Sequence, residues 1–172
     1  MEEQTIIQTK NEEVVPNKIL SGRQAYITAL DIILNSAERE LLIFDSDASS
    51  GDYSGLKRFE TLRSFLGKSR QSRLTIILHH TQFFSTRCPR LMGLLKLYSH
   101  AIAIYQTDQQ ARGVKDTFVI ADQRHHLHRF HIDDARFTFA LNDEAGAKPL
   151  FERFCEIKEV SNEAVFATTL GL

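Results

Sequence analysis

Apolar and polar positions change period along this chain, and the period locates its elements. In "GRQAYITALDIILNSAERE" the residues Tyr26, Ala29, Leu30, Ile33 and Ala37 recur at three- and four-residue steps, which sets them on one face of a helix, with Ser21 placed to cap its first turn. "ELLIFD" is a short unbroken apolar run between charges and predicts a strand buried on both faces of a sheet. "SDASSGDYSG" predicts a loop, because Ser, Asp and Gly supply turn dihedrals and local side-chain hydrogen bonds. A basic helix follows from Lys57 to Ser69, and "RLTIILHH" is a second buried strand that ends in His79 and His80.

"TQFFSTRCPRLMGLLKLYSH" reads as a loop that turns helical around Pro89, since proline is tolerated in a first helical turn; Leu91, Leu94, Leu95 and Tyr98 form the stripe. "AIAIYQ" and "DTFVIAD" are the third and fourth strands, joined by the polar loop "TDQQARG". "HHLHRF" and "RFTFAL" continue as extended segments, and "NDEAGAKPLFERFCEIKEV" closes with a helix that turns Leu150, Phe151, Phe154 and Ile157 inward. This order predicts an α/β fold, a mixed β-sheet flanked by helices on both faces. Residues 1–19, interrupted by Pro16, predict a flexible N-terminal arm that adds at most a short edge strand, and residues 20–172 a single domain.

Composition narrows the classes. The 172 residues are 42% hydrophobic and 25% charged, as in an ordinary globular protein. A net charge of -1 and a pI near 6.7 give no electrostatic footprint for nucleic acid or an anionic membrane, so neither a nucleic-acid partner nor membrane insertion is expected. Cys88 and Cys155 are too few and too far apart for a disulfide framework and read as reduced packing residues. The N-terminus lacks the basic-then-apolar pattern of a secretory signal, which leaves a cytoplasmic address by default. No cofactor is expected.

Sites in open α/β sheets gather beyond strand ends. That singles out Asp45 and Asp47, His79 and His80, and the segment from Lys115 to His131. "DSD" at 45–47 has the carboxylates to hold magnesium but reads more simply as a turn. "HHLHRFH" has the imidazoles for zinc, yet strand alternation puts His126, His128 and Phe130 on one face and His125, Leu127 and Arg129 on the other. Two more ligands would be needed, and no metal is assigned. Arg129, between apolar neighbours on an inner strand, needs a partner: Asp122 or another internal carboxylate, or the phosphate or carboxylate of a ligand.

The pattern "AIAIYQ…VKDTFVIADQRHHLHRF…FERFCEIKEVS", across roughly residues 20–165, resembles the phospholipase D-like fold, and most closely an uncharacterised bacterial group of it. Active members carry HxKxxxxD on a strand, followed by a Gly-Ser-x-Asn turn. Alignment on "VIAD" makes Asp122 the motif aspartate and places Lys115 where the nucleophilic histidine belongs and Thr117 where the lysine belongs. "HRFHI" stands in place of the Gly-Ser-x-Asn turn. The resemblance therefore implies a domain that has lost the HxKxxxxD catalytic residues and binds an anionic small ligand or a protein, as a homodimer across the face where active relatives pair. Lys115, Asp122, His128 and Arg129 are expected to line one pocket, and no residue is assigned as catalytic. Two alternatives stay open: a phosphodiesterase or nuclease using a relocated nucleophile, His79, His126 or His128, with Arg129 as charge clamp; and a metal-binding module built on the His-rich strand.

Overall fold

One sheet carries all the strands of residues 14–165, which are those the computed structural model describes. The strands are β1 (Leu20–Ser21), β2 (Glu40–Asp45), β3 (Arg73–Leu78), β4 (Ile102–Thr107), β5 (Thr117–Ala121), β6 (His125–Arg129), β7 (Arg136–Ala140) and β8 (Ser161–Val165). Their order is β1-β7-β6-β5-β2-β3-β4-β8. β2, β3 and β4 run parallel, and every other pairing is antiparallel. Parallel neighbours need crossovers, supplied by α2 (Leu56–Gly67) between β2 and β3, and by α3 (Gln82–Arg87) with α4 (Pro89–Leu97) between β3 and β4. α1 (Arg23–Ser36) and α5 (Glu144–Glu159) complete the layers.

Alternation along the strands divides the core in two. Leu41, Ile43, Leu74, Ile76, Val119, Leu127, Phe137 and Phe139 pack toward α1, α2, α3 and α4. Leu42, Phe44, Ile77, Phe118 and Ile120 pack on the other face against Ala147, Leu150, Phe154 and Ile157 of α5. Burying each such large side chain contributes roughly 1.5–3 kcal/mol. β2 is covered on both faces, which is why "ELLIFD" shows no polar alternation. The expected mixed sheet with helices on both faces is the fold observed.

Several local expectations are corrected. Ser21 does not cap α1: it lies in β1, and the cap position is Gly22 at φ 102, without a side-chain cap. The "QFFSTR" segment forms α3 rather than a loop. Cys88 is buried, but Cys155 is exposed and packs no core. Residues 1–13 of the expected arm lie outside the described residues. From Val14 the chain packs on the core, and the Asn17 amide donates to the Phe139 carbonyl at 2.9 Å.

Candidate functional site

The C-terminal ends of β2, β3 and β4 meet the start of β5 and the end of β6, and this is where the fold gathers its polar side chains. Arg129 lies opposite Thr117, and the β2–β5 register, with Phe44 opposite Phe118, sets Asp45 on the same sheet face one step further on. Above this row α1 places Tyr26, with the Arg129 guanidinium 5.7 Å from its ring centroid. Beside it opens a cavity of about 250 Å³ lined by Arg23, Tyr26, Ser49, Ser50 and Arg129, with Gly22 and Ala135 at its margin.

Local chemistry fixes the walls. Asp47 Oδ1 accepts from the Ser49 amide at 2.9 Å and its hydroxyl at 2.6 Å, so this carboxylate makes the expected turn. The Tyr53 ring covers Gly51, where any Cβ would come within 2.1 Å of it. Arg58, 2% exposed, donates Nε to the Gly51 carbonyl and Nη1 to Asp31, tying the loop to α1. Burial pushes the Asp45 carboxyl up to about 6, against the pull of the backbone amides of Ser46, Asp47 and Ala48. Burial and Asp45 also push the Tyr26 hydroxyl up, opposed by Thr117 and Arg129.

Arg129 is half-buried, and its partners are neutral. Nε donates to the Asp134 carbonyl at 2.7 Å and Nη2 to the Ile132 carbonyl at 2.8 Å. Neither Asp122 nor any other carboxylate among the described residues pairs with it. Arg23 is exposed and likewise forms no ion pair among the described residues.

The histidines face elsewhere. His126 and His128 share the α5 face, as strand alternation predicts, but turn to different carboxylates: Asp143 at 3.1 Å and Asp116 at 2.9 Å. Burial alone would raise Asp116; the His128 hydrogen bond and the Arg153 charge bring it below the usual carboxylate range. His79 is buried, with Nε2 donating to the Val114 carbonyl and Nδ1 accepting from Thr107, both at 2.7 Å; burial lowers its pKa. Among the described residues no group of three or more His, Cys, Asp or Glu is arranged to hold a metal ion.

The expected single pocket is not formed. Arg129 lines the α1-side cavity, while His128 lines a separate groove with Asp116 and Arg153 beneath α5. Asp122 lies at the opposite end of β5, where its carboxylate accepts the backbone amides of Glu38, Arg39 and Glu40 at 2.8, 2.8 and 2.9 Å. Lys115 is exposed, and its carbonyl accepts the Ile132 amide at 2.8 Å. Sequence reading missed Arg23, Tyr26, Ser49 and Ser50; the Ser- and Gly-rich loop after β2 was the signal for the two serines, and nothing marked Arg23 or Tyr26.

Charge is segregated in a way that the net value hides. Residues 53–107 hold nine Lys and Arg against one acid, Glu60. They include α2, α3 and α4; Asp31 of α1 pairs with Lys57 and Arg58, and the remaining seven cations still make this stretch basic although the whole chain is at -1.

The fold is shared with proteins of known structure. TrmBL2, an archaeal chromatin protein with a novel mode of DNA binding, superposes at TM-score 0.66 and 12% identity over 92% of this chain; the chain spans 57% of TrmBL2. Nuc from Salmonella typhimurium, a phospholipase D family member, gives 0.58 and 11% identity, covering 86% of this chain and 96% of Nuc. NucT from Helicobacter pylori gives 0.56 and 10%, covering 86% of this chain and 98% of NucT. The architecture is thus phospholipase D-like. The expectation that nucleic acid has no place among the partners is overturned by the TrmBL2 likeness, and its charge argument fails because averaging concealed the basic side; the expected homodimer gains no support. No helix is long and apolar enough to cross a membrane among the described residues. No curated protein matches by sequence. Residues 22–165 match the family described as Domain of unknown function (DUF7931), and the chain belongs to that family.

Proposed function

We infer that this domain binds a phosphate-bearing ligand in the Arg129 cavity without turning it over. One observation carries the reading: a half-buried guanidinium that faces only neutral partners, at the rim of a cavity that also holds Arg23 and two serines. A half-buried cation left with carbonyls alone keeps unused attraction for an anion, and a guanidinium fork matches phosphate. The lining has no histidine and no carboxylate, so the hydroxyls of Ser49, Ser50 and Tyr26 find no general base in it to activate them. His79, His126 and His128 are engaged on the α5 face, away from Arg129, which speaks against the relocated-histidine enzyme. Separate carboxylate partners for His126 and His128 speak against the metal module. Lys115 and Thr117 in place of the motif histidine and lysine agree with lost catalysis.

Calorimetric titration with inorganic phosphate, a phosphomonoester and a 5'-phosphorylated oligonucleotide separates free phosphate from nucleic-acid ends as the source of that group. Saturable binding that weakens about tenfold in Arg129→Gln and Arg23→Gln, as loss of a charge-assisted hydrogen bond requires, is the expected result. Equal affinity in wild type and both variants would remove the reading.

A further inference from the structure

Between α2 and α4 lies a second concavity that the phosphate reading does not use. It is an apolar groove of about 210 Å³ lined by Phe59, Gly93, Leu94 and Leu97, with Arg63 and Arg90 contributed by opposite helices. Leu97 is 66% exposed, an unusual outlay of apolar surface on a nine-residue helix. Gly93 leaves the groove open: a Cβ built there meets nothing within 4 Å. No carboxylate lines it, and Glu60 is the one acid of the basic stretch around it. Among the described residues Arg63 forms no ion pair, and Arg90 reaches only the Ser54 carbonyl, at 3.3 Å.

We propose that this groove docks an acidic peptide segment of a partner protein, which seats a bulky apolar side chain over Gly93 and pairs flanking carboxylates with Arg63 and Arg90. Two properties select that occupant. The basic surroundings attract negative charge and raise the rate of encounter. The apolar lining then discriminates between anions: a sugar-phosphate backbone would leave it unfilled, whereas an acidic peptide with a Leu, Met or aromatic anchor fills it and gains from its burial. The proposal is independent of the Arg129 cavity, which opens at the strand ends rather than on the α2–α4 seam.

Panning a random 12-residue phage-displayed peptide library on the purified protein tests it, followed by fluorescence anisotropy on the synthesised winners. The expected winners combine Asp or Glu with at least one large apolar residue. Their affinity falls at least tenfold in the Arg63→Gln/Arg90→Gln double variant and again in Gly93→Leu, which fills the groove and leaves every charge in place. Gly93→Ala serves as the milder filling should the larger residue impair folding, and an unchanged or higher melting temperature certifies either variant. The proposal is overturned if no peptide is enriched, if winners lack carboxylates, or if their binding survives the glycine substitutions. It is equally overturned, in favour of a nucleic-acid surface, if a 20-nucleotide oligonucleotide displaces the peptides and binds wild type and Gly93→Leu alike.

Discussion

Arg129 and His128 occupy successive positions of β6 and leave it for opposite faces of the sheet: Arg129 lies against the Tyr26 ring of α1, and His128 reaches Asp116 beneath α5. A histidine nucleophile and an arginine clamp must converge within a few ångströms of one phosphorus atom. Here the sheet itself separates them. His128→Ala is therefore expected to leave any phosphate affinity of the Arg129 cavity unchanged within twofold in calorimetric titration, and a loss comparable to that of Arg129→Gln would show that the two act together.

Asp45 makes stability fall as pH rises. Its folded value of about 6 stands above the ordinary aspartate value of 3.8, so the folded chain holds this proton more tightly; the stabilisation is complete below about pH 4 and is lost as pH rises through 6. Two units correspond to about 3 kcal/mol. Asp45→Asn, neutral at every pH, should gain up to that amount over wild type in urea unfolding at pH 8 and nothing at pH 4. A constant difference at both pH values would contradict the assignment.

Asp122 acts at the far end of β5. It starts a tight β5–β6 turn in which Asp122 and Gln123 have φ of 51 and 54, and its two oxygens hold three successive amides, Glu38 to Glu40, at the entry to β2. Burial alone would raise it, but the three donors bring it below the usual carboxylate range. Asp122→Ala should cost about 1–3 kcal/mol at pH 7. Asp122→Asn should cost less, since one oxygen still accepts two amides and Asn tolerates the left-handed turn. Because the folded value is depressed, this contribution is present above the ordinary carboxylate pKa and lost as pH falls below it. Urea denaturation at pH 7 and pH 3 measures both.

Asp31 neutralises a buried arginine. Arg58 is 2% exposed, and Asp31 lies 2.7 Å from its Nη1. Asp31→Ala strands that charge and should cost roughly 3–5 kcal/mol, while the Asp31→Ala/Arg58→Met double variant should recover much of the loss. Equal unfolding free energies for the single and double variants would show that Arg58 finds another partner.

What the sequence revealed and concealed follows from period and distance. The alternation of "HHLHRF" assigned both faces of β6 because each is packed and a slip of one residue would invert it. The buried strands were legible because double coverage leaves no polar positions. β8 was missed because "SNEAV" is a mostly polar edge strand with little to mark it. The single pocket failed on length: Lys115 and Asp122 are seven residues apart along an extended chain, roughly 23 Å, so they cannot share a site. Arg129 was found by the charge problem it poses, but its cavity walls come from a loop and a helix start distant in sequence. The basic side was invisible in a net charge that sums it with an acidic remainder.

The Arg129 Nε–H resonance gives the most direct test of ligand binding without turnover. Proton–nitrogen spectra should be followed while inorganic phosphate is added, with bis(p-nitrophenyl) phosphate incubated in parallel. Binding without turnover is expected to give a saturable shift of Arg129 together with the Ser49 and Ser50 amides, and no release of nitrophenol. Unmoved cavity resonances, or nitrophenol release abolished by His79→Ala, His126→Ala or His128→Ala, would contradict it.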